Sequence, residues 1–509
     1  MVDTSDTVRR IAKGTGILFV GIILSKILSY AYRILIARDN PAEYGTFSLA
    51  LAIYGLALVL SSLGIHEGLS RYMGYYKGKN DPAAMRATLK ASLFPVLVLS
   101  VISSILLFIT ADLVSSRIFH NANLSILLKV LSLVIPFDIL SLLFVNALRV
   151  IEKPTYEVYI RNILQNVLKI SLTSLLFFFN IKLLGMAYGF ALSILITFFL
   201  LYYSLNKNFK VFGASTDDKN IQKEILTFSL PIFFGSFLIF IFTWIDTIML
   251  GWMTTPEQVG IYNAAVPTSQ LLYLFPSTLM AMFLPLLTMV YAQQDTNSFK
   301  TIYKTAVRWT LIINLALFFP LLIFSKEFLT LLFGQTYALA AIPLAILLVG
   351  RLLDFSLLSG TNVLMVIKKT KLVLFNSLVA ASLNIILNLI FIPKWGIIGA
   401  ALGTAIAVAT LSLLVLFETW VLTQTFAFGR STLKILASGL ASALLVYYLK
   451  TRFASDSLLL LIMFGFIFGT VYLCLLFLTK SLEKEDLDII AKLEEKFGLK
   501  LTKLKKLFR

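Results

Sequence analysis

Apolar runs of about twenty residues recur along the whole chain, and they limit the possible folds more than any other feature of the sequence. A helix of about twenty residues crosses the hydrocarbon core of a bilayer, which is about 30 Å thick. Hydrophobic residues make up 59% of the chain and charged residues 14%, and a soluble domain could not keep so much apolar surface out of water. We therefore predict an all-α polytopic membrane protein with about fourteen transmembrane helices. The predicted spans are 14–36, 44–66, 87–111, 125–149, 157–180, 182–204, 224–250, 259–290, 306–325, 338–366, 372–392, 396–422, 432–450 and 457–479.

The sequence repeats itself at a spacing of 214 to 216 residues. Pro41 and Gly45, at the start of the second span, correspond to Pro256 and Gly260, at the start of the eighth. Further pairs follow in the same order: Asp138 with Asp354, Asn146 with Asn362, Gly185 with Gly399, and Gly189 with Gly403. Because each repeat contains six spans, both repeats have the same orientation, and their symmetry axis runs along the membrane normal. The repeat predicts two pseudo-symmetric six-helix lobes in a MATE-like arrangement, in which the glycine pairs allow close helix packing.

The predicted domains follow from this repeat and from the composition. The stretch 207–222 is polar, and 481–509 has apolar residues at helical spacing and a basic end. Such a tail either lies on a membrane surface as an amphipathic helix or is a solvated extension. The domains are a first lobe at 1–206, a cytoplasmic linker at 207–222, a second lobe at 223–425, two extra helices at 426–480 and a cytoplasmic amphipathic tail at 481–509.

The net charge of +18 is distributed unevenly between the two sides of the predicted helices. When residues near a span end are counted with the adjacent side, 32 of the 44 lysines and arginines lie on the side of the N-terminus and 9 on the other side, while 3 lie deep within spans. Because basic residues are enriched in cytoplasmic loops, the bias predicts a multi-pass cell membrane protein with both termini in the cytoplasm. The charge therefore indicates topology and attraction to anionic lipid headgroups rather than binding to nucleic acid.

Basic residues inside the spans are the candidate binding residues. A charge at the bilayer centre costs about 2.5–3.5 kcal/mol, so it needs a partner or a wet cavity. Cationic side chains are suited to binding phosphate or pyrophosphate. The candidates for an anionic headgroup are Lys26, Lys169 and Arg351 deep in the spans, and Arg33, Arg161 and Arg308 nearer their ends. Alternatively, Arg351 pairs with Asp354 on its own helix, and the three arginines near span ends extend their charges to the membrane surface.

Acidic residues inside the spans are candidates for coupling to H⁺ or Na⁺, and these are Asp138, Asp246 and Asp354. Since Asp138 and Asp354 are related by the repeat, a shared structural role is an alternative for both. The chain has one cysteine, Cys474, and two histidines, which argues against a metal centre. The sequence also lacks a nucleotide-binding loop and a catalytic constellation, so we expect neither a cofactor nor an enzyme activity.

Several motifs in order resemble one known family. They are the opening run from Lys13 to Gly21, Arg33 to Arg38, Glu43-Tyr44-Gly45-Thr46-Phe47, and Ile398 to Ala405. Together they resemble the polysaccharide-synthesis, or oligosaccharide flippase, branch of the multidrug/oligosaccharidyl-lipid/polysaccharide (MOP) exporter superfamily. The resemblance covers residues 1–425, with two further helices as in fourteen-helix members.

The resemblance implies a flippase that moves a polyprenyl- or dolichyl-phosphate-linked oligosaccharide from the cytoplasmic to the outer leaflet by alternating access. It implies a cationic cavity between the lobes for the headgroup, and Lys26, Arg33 and Lys169 occupy suitable positions in the first lobe. Drug-exporting relatives often have an acidic residue in the middle of the first helix, whereas this chain has Lys26 there. The expected partners are the lipid-linked oligosaccharide, membrane lipids and glycan-assembly enzymes, and the expected state is a monomer. The alternatives are a cation-coupled multidrug or metabolite antiporter of the same fold and, less favoured, a membrane-embedded glycosyltransferase.

Overall fold

The computed structural model of the chain describes residues 21, 23–211, 219–453 and 457–481. The start of the first predicted span, most of the opening motif, the centre of the predicted linker and nearly all of the amphipathic tail lie outside this range. The described residues fold into helices and short helical turns, with no strand among them. The predicted all-α class is therefore confirmed.

Nine helices cover the first half of the chain and continue to Met253. They are α1 (23–37), α2 (Pro41–Ser62), α3 (Ile65–Gly78), α4 (Pro82–Leu113), α5 (Ala122–Ser132), α6 (Ile135–Val150), α7 (Gln165–Phe178), α8 (Leu183–Phe209) and α9 (Lys219–Met253). Two π-helical segments adjoin them, Val114–Ile118 after α4 and Glu157–Leu164 before α7.

Eight helices follow in the second half. They are α10 (Pro256–Ser269), α11 (Leu274–Ala292), α12 (Thr296–Ile323), α13 (Ser325–Phe333), α14 (Ala341–Val366), α15 (Thr370–Thr423), α16 (Arg430–Arg452) and α17 (Leu458–Leu478). Short 3₁₀ turns lie at Gln270–Tyr273 and Gln335–Ala340. The turn between α10 and α11 lies between Pro267 and Pro276, and proline interrupts helical hydrogen bonding.

Among the described residues, nine helices are long and apolar enough to cross a membrane, and the pair α5 and α6, bent by 45°, forms a possible tenth. Two predicted spans, 372–392 and 396–422, fall within the single element α15, which bends at Gly396 with φ 55° and ψ −127°. The spans predicted at 157–180 and 259–290 contain a π-helical or 3₁₀ segment. These interruptions, together with the first predicted span, whose start lies outside the described residues, account for the lower number. The total of fourteen spans stays a prediction.

Several helix starts are determined by local sequence. Asn40 precedes Pro41, and its side-chain oxygen accepts a hydrogen bond of 2.9 Å from the Ala42 N–H. Asp81 precedes Pro82 and accepts in the same way from the Ala84 N–H, also at 2.9 Å. Proline lacks the N–H that a first helical turn leaves unpaired, while the capping oxygen satisfies the next donors. The sequence therefore determines where α2 and α4 begin.

Residues up to Ala264 form one compact unit, and residues from Ala265 form another. In the first unit, an apolar core joins α3, α4, α6 and α8 and includes Leu69, Leu89, Leu143 and Leu201. The start of α2 crosses the start of α10, where a Cβ atom on Gly45 would overlap the carbonyl oxygen of Pro256. The predicted lobe boundaries at 206 and 223 stay a prediction.

In the second unit, α12 packs against α11, α14, α16 and α17. Phe324 stacks on Phe464 with ring centroids 5.5 Å apart, and the Tyr472 hydroxyl donates to the Ile312 carbonyl at 3.3 Å. The two helices predicted as extra to the repeat, α16 and α17, are thus attached to α12 of this unit.

One helix contact occurs in both units at positions related by the repeat. A Cβ atom on Gly189 would overlap the Thr173 hydroxyl in the first unit, and one on Gly403 would overlap the Asn388 side-chain oxygen in the second. Gly189 and Gly403 differ by 214 positions, and Thr173 and Asn388 by 215. The glycines therefore pack within their own units, as the sequence predicts.

Candidate functional site

Three of the predicted cationic residues come together in the first unit. The charge of Lys169, on α7, interacts electrostatically with Arg161 of the adjoining π-helical segment and with Arg33 of α1. Asp138, on α6, is the carboxylate that interacts with Lys169 in this group. Residues far apart in the sequence thus form one charged cluster, which we call the cation cluster: Arg33, Arg161, Lys169 and Asp138.

The side chain of Lys169 is half-buried, and its ammonium nitrogen lies 4.6 Å from the ring centroid of Phe190 on α8. The face of an aromatic ring attracts a cation at this distance. Phe190 in turn makes edge-to-face contacts with Phe47, at 6.2 Å, and Tyr54, at 5.8 Å, both on α2. The aromatic contacts hold Lys169 beside α2 and α8.

Arg161 makes an ion pair with Asp138, with the Nη2 nitrogen 3.2 Å from the Oδ1 oxygen. The other oxygen of Asp138 accepts a hydrogen bond of 2.8 Å from the Tyr54 hydroxyl. The Nη1 nitrogen of Arg161 is buried and has no hydrogen-bond acceptor among the described residues. Asp138 therefore fixes one side of the guanidinium group, and the donor on the other side is left without an acceptor among the described residues.

The π-helical segment Glu157–Leu164 determines where Arg161 lies relative to α6. π-Helical turns are rare and occur frequently at functional sites. The same segment carries Glu157, which is 10% exposed and makes a bidentate ion pair with Arg149 at the end of α6. Two ion pairs therefore attach the segment to α6.

Lys26, also predicted to bind the headgroup, has an exposed side chain on α1. The residue before it, Ser25, accepts a hydrogen bond of 3.1 Å from Asn166 of α7. This contact places α1 beside α7, but the electrostatic partners of Lys169 do not include Lys26. The role of Lys26 stays a prediction.

The remaining cationic candidates belong to the second unit. Arg308 of α12 is only 4% exposed and donates to the Thr305 hydroxyl at 3.4 Å. The side chain of Arg308 is thus packed inside the unit, and both its role in headgroup binding and the alternative of a charge at the membrane surface stay predictions. Arg351 and Asp354 of α14 lie 3.9 Å apart at their nearest charged atoms, as expected for the alternative of a pair on one helix.

The acidic candidates are placed differently from one another. Asp138 is bonded to two partners in the cation cluster, whereas Asp246 of α9 is 9% exposed and accepts a hydrogen bond of 2.6 Å from the Tyr262 hydroxyl. Asp138 and Asp246 thus each accept a hydrogen bond from a protein donor, and a role in ion coupling stays a prediction for all three acidic candidates. No group of three or more metal-ligating side chains occurs within the described part of the chain.

Sequence reasoning missed Tyr54 and Phe190. Each lies in an apolar helix, and the contacts that give it a role involve residues 84 and 21 positions away, Asp138 and Lys169. No helical spacing relates such positions. Comparison of the two repeats gives one indication of their role. The residues that correspond to Tyr54 and Phe190 in the second lobe are Ser269 and Thr404. The aromatic side chains at these two positions are therefore specific to the first lobe.

Comparison with known proteins places the chain in a family. The family model described as "Polysaccharide biosynthesis protein" matches residues 11–291, and the model described as "MatE" matches residues 231–390. An uncharacterized membrane protein of Methanocaldococcus jannaschii is 22% identical over 94% of this chain and 98% of its own length.

Two further relatives carry descriptive names. The capsular polysaccharide biosynthesis protein CapF of Staphylococcus aureus is 25% identical over 78% of this chain and 96% of its own length. The probable low-salt glycan biosynthesis flippase Agl15 of Haloferax volcanii is 24% identical, over 33% of this chain and 36% of its own length.

Solved structures share the fold. The lipid II flippase MurJ, in an inward closed conformation, matches with a TM-score of 0.73 and 18% identity, over 90% of this chain and 98% of MurJ. A multidrug resistance MATE family transporter of the MOP superfamily, in an inward-facing conformation, matches with a TM-score of 0.67 and 16% identity, over 79% of this chain and 94% of the transporter. These matches confirm the predicted MATE-like helical fold of a multi-pass membrane protein. The family model covers more than half of the sequence, and the chain therefore belongs to the polysaccharide biosynthesis protein family, in the flippase branch of the MOP superfamily.

Proposed function

We propose that this protein is a flippase for a polyprenyl- or dolichyl-phosphate-linked oligosaccharide, which it moves from the cytoplasmic to the outer leaflet by alternating access. The cation cluster of the first unit binds the phosphate or diphosphate of the headgroup, while the lipid chain remains in the bilayer. No bond of the substrate is broken in this process, so the protein acts as a transporter rather than as an enzyme.

One observation carries this proposal: Lys169 interacts electrostatically with Arg161, Arg33 and Asp138 in one cluster. The predicted topology adds an order to the three cations along the membrane normal. Arg161 lies near the predicted cytoplasmic end of its helix, Lys169 lies eight residues further along, and Arg33 lies near the predicted outer end of α1. At about 1.5 Å per α-helical residue, the helix rises by at most about 12 Å between Arg161 and Lys169, because its first residues are π-helical. In this proposal Arg161 and Lys169, which interact electrostatically, bind the diphosphate together before it passes on to Arg33.

The electrostatics favour an anionic substrate. Three cations and one carboxylate form the cluster, and Arg161 keeps a buried donor without an acceptor in the described part of the chain. Guanidinium and ammonium groups in a low-dielectric site bind phosphate oxygens by charge-assisted hydrogen bonds. The names of CapF and Agl15, which refer to capsular polysaccharide and to glycan biosynthesis, support a glycan headgroup.

The proposed location is the cell membrane, with both termini in the cytoplasm. Ion pairs between loops support this topology, since they join segments on the same predicted side. Lys77 pairs with Glu152 on the predicted cytoplasmic side, whereas Lys182 pairs with Asp39 on the predicted outer side. Transport is driven by the membrane potential or by coupling to H⁺ or Na⁺. The protein acts as a monomer beside the enzymes that assemble the glycan.

The second candidate is a cation-coupled antiporter for a drug or metabolite. The match of residues 231–390 to the MatE model favours it, together with the buried carboxylate of Asp246. An antiporter of cationic compounds would depend on carboxylates rather than on lysine and arginine. The two candidates therefore predict opposite dependence on the charges of the first unit.

The test is translocation in proteoliposomes. A fluorescent polyprenyl-diphosphate sugar is followed by its protection from a membrane-impermeant quencher, and a fluorescent cationic dye is followed in parallel. We expect the wild type to move the lipid, and Arg161→Ala to slow this movement about tenfold or more, because a charge-assisted hydrogen bond is lost.

The control is Lys129→Ala, which removes a lysine that pairs with Asp112 at the predicted outer surface, 2.7 Å away. This variant should translocate the lipid at the wild-type rate. The proposal fails if the wild type leaves the lipid in place but exports the dye in a manner that Asp246→Asn abolishes. That outcome would establish the antiporter.

A further inference from the structure

A continuous set of contacts joins the two cations Arg161 and Lys169 through three uncharged or acidic side chains. Asp138 bonds to Arg161 through one oxygen and to the Tyr54 hydroxyl through the other. The ring of Tyr54 meets Phe190 edge-on, with an interplanar angle of 90°, and the face of Phe190 carries the ammonium group of Lys169. Helices α2, α6, α7 and α8 and the π-helical segment all contribute to this set.

These contacts restrict the side-chain conformations of Arg161 and Lys169. Tyr54 is 3% exposed, and the side chain of Asp138 is 13% exposed, so both members of the hydrogen bond between them are packed inside the unit. Long cationic side chains lose much rotamer freedom when they bind a ligand, and a site that fixes them beforehand binds more tightly. Asp138 fixes one side of the Arg161 guanidinium, and Phe190 fixes the position of Lys169.

The second unit shows that the helix packing does not require this set. The positions that correspond by the repeat to Tyr54, Arg161, Lys169 and Phe190 are Ser269, Asn376, Asn384 and Thr404. There the Asn384 side chain donates to the Thr404 hydroxyl at 3.0 Å, and the Asn376 side chain donates to Glu418 at 2.6 Å. The close packing of Gly403 against Asn388 nevertheless matches that of Gly189 against Thr173. Neutral side chains thus serve the same helix crossing, and the cations, the tyrosine and the phenylalanine are specific to the first unit.

We propose that Tyr54, Asp138 and Phe190 are positioning residues, which orient Arg161 and Lys169 so that both contact the same phosphate or diphosphate group. The proposal rests on the proposed function in assigning Arg161 and Lys169 to the headgroup. It also gives Asp138 a role other than ion coupling, because both of its oxygens are used within the set.

The test uses substitutions that leave the charges of the cluster unchanged. Tyr54→Phe keeps the ring contact with Phe190 and removes the hydroxyl that fixes Asp138. Phe190→Leu keeps an apolar side chain and removes the aromatic face below Lys169. By contrast, Asp138→Asn has two opposite effects on the binding of an anion. It releases Arg161, which should weaken binding, and it removes a negative charge, which should strengthen binding. This variant therefore cannot decide the question.

The probe is inorganic pyrophosphate, whose binding to the detergent-purified protein is measured by equilibrium titration. We expect the dissociation constant to rise about three- to tenfold for Tyr54→Phe, because the hydroxyl hydrogen-bonds to a charged group. The rise for Phe190→Leu should be about two- to tenfold, as expected for a lost cation–π contact. Arg161→Ala should weaken binding by more than either of them.

The matched control is Tyr472→Phe, which removes a buried tyrosine hydroxyl of the second unit that donates to a backbone carbonyl. It should bind pyrophosphate as the wild type does. Thermal unfolding of each variant shows whether a change in binding reflects loss of the fold, and the lipid assay should show a raised KM with little change in maximal rate.

Two outcomes overturn the positioning role. In one, Tyr54→Phe and Phe190→Leu bind pyrophosphate as tightly as the wild type while Arg161→Ala binds it weakly; this leaves the proposed function intact. In the other, Tyr472→Phe weakens binding as much as Tyr54→Phe. Failure of the proposed function has a different signature, in which the wild type moves no lipid and Arg161→Ala binds pyrophosphate as the wild type does.

Discussion

At the scale of single residues, two ion pairs of the first unit differ in how far their carboxylates are exposed to solvent. Glu157 is 10% exposed and its partner Arg149 is 51% exposed, whereas Glu152 is 80% exposed beside Lys77. Loss of its partner leaves a carboxylate with an uncompensated desolvation free energy only if the carboxylate is buried. The two pairs should therefore differ strongly in their contribution to stability.

We predict that Arg149→Ala lowers the free energy of unfolding by about 2–4 kcal/mol, because it leaves Glu157 buried without its bidentate partner. Glu152→Gln should cost at most about 1 kcal/mol, since exposed pairs contribute little. Thermal unfolding in detergent measures both. The double variant Arg149→Ala/Glu157→Gln should recover part of the loss, and equal effects of the two single substitutions would contradict this account.

At the scale of helices, the crossing of α2 and α10 depends on two glycines related by the repeat. A Cβ atom on Gly45 would overlap the Pro256 carbonyl oxygen, and one on Gly260 would overlap that of Pro41. The obstacle in both cases is backbone, which cannot move aside as the end of a side chain can. Gly55, further along α2, faces instead the ring of Phe240 at 3.3 Å.

We predict that Gly45→Ala forces the two helix starts apart and lowers the melting temperature by several degrees, as overpacking typically costs about 1–3 kcal/mol. Gly55→Ala is the matched control on the same helix, where only a side chain has to shift. It should change the melting temperature by much less. Equal melting temperatures for the two variants would show that α2 and α10 do not cross as described.

The sequence predicted these helices well, because apolar runs and capping residues are local signals. Asn40 and Asp81 precede the proline that begins α2 and α4, respectively. The sequence alone could not predict the bend at Gly396 or the π-helical segment before α7, because both depend on packing against neighbouring helices. The predicted spans differ most from the described helices at these interruptions.

At the scale of the whole molecule, the repeat explains the helix packing that the two units share. The charged side chains are the feature in which the two units differ. The glycine contacts at Gly189 and Gly403 are equivalent, whereas Lys169 in the first unit corresponds to Asn384 in the second. The sequence identified Arg33, Arg161 and Lys169 as candidates because charges are expensive in lipid. It could not show that they meet, or that Tyr54 and Phe190 contact them, because these contacts join helices distant in the chain.

The central claim is that a cation at position 169 is needed to move an anionic headgroup. The most direct measurement is the translocation rate of the fluorescent polyprenyl-diphosphate sugar in proteoliposomes containing Lys169→Gln or Lys169→Arg. Our account predicts that Lys169→Gln lowers the rate about tenfold or more, while Lys169→Arg retains most of it, because only the latter keeps the charge that attracts phosphate. Translocation by Lys169→Gln at the wild-type rate would contradict the account.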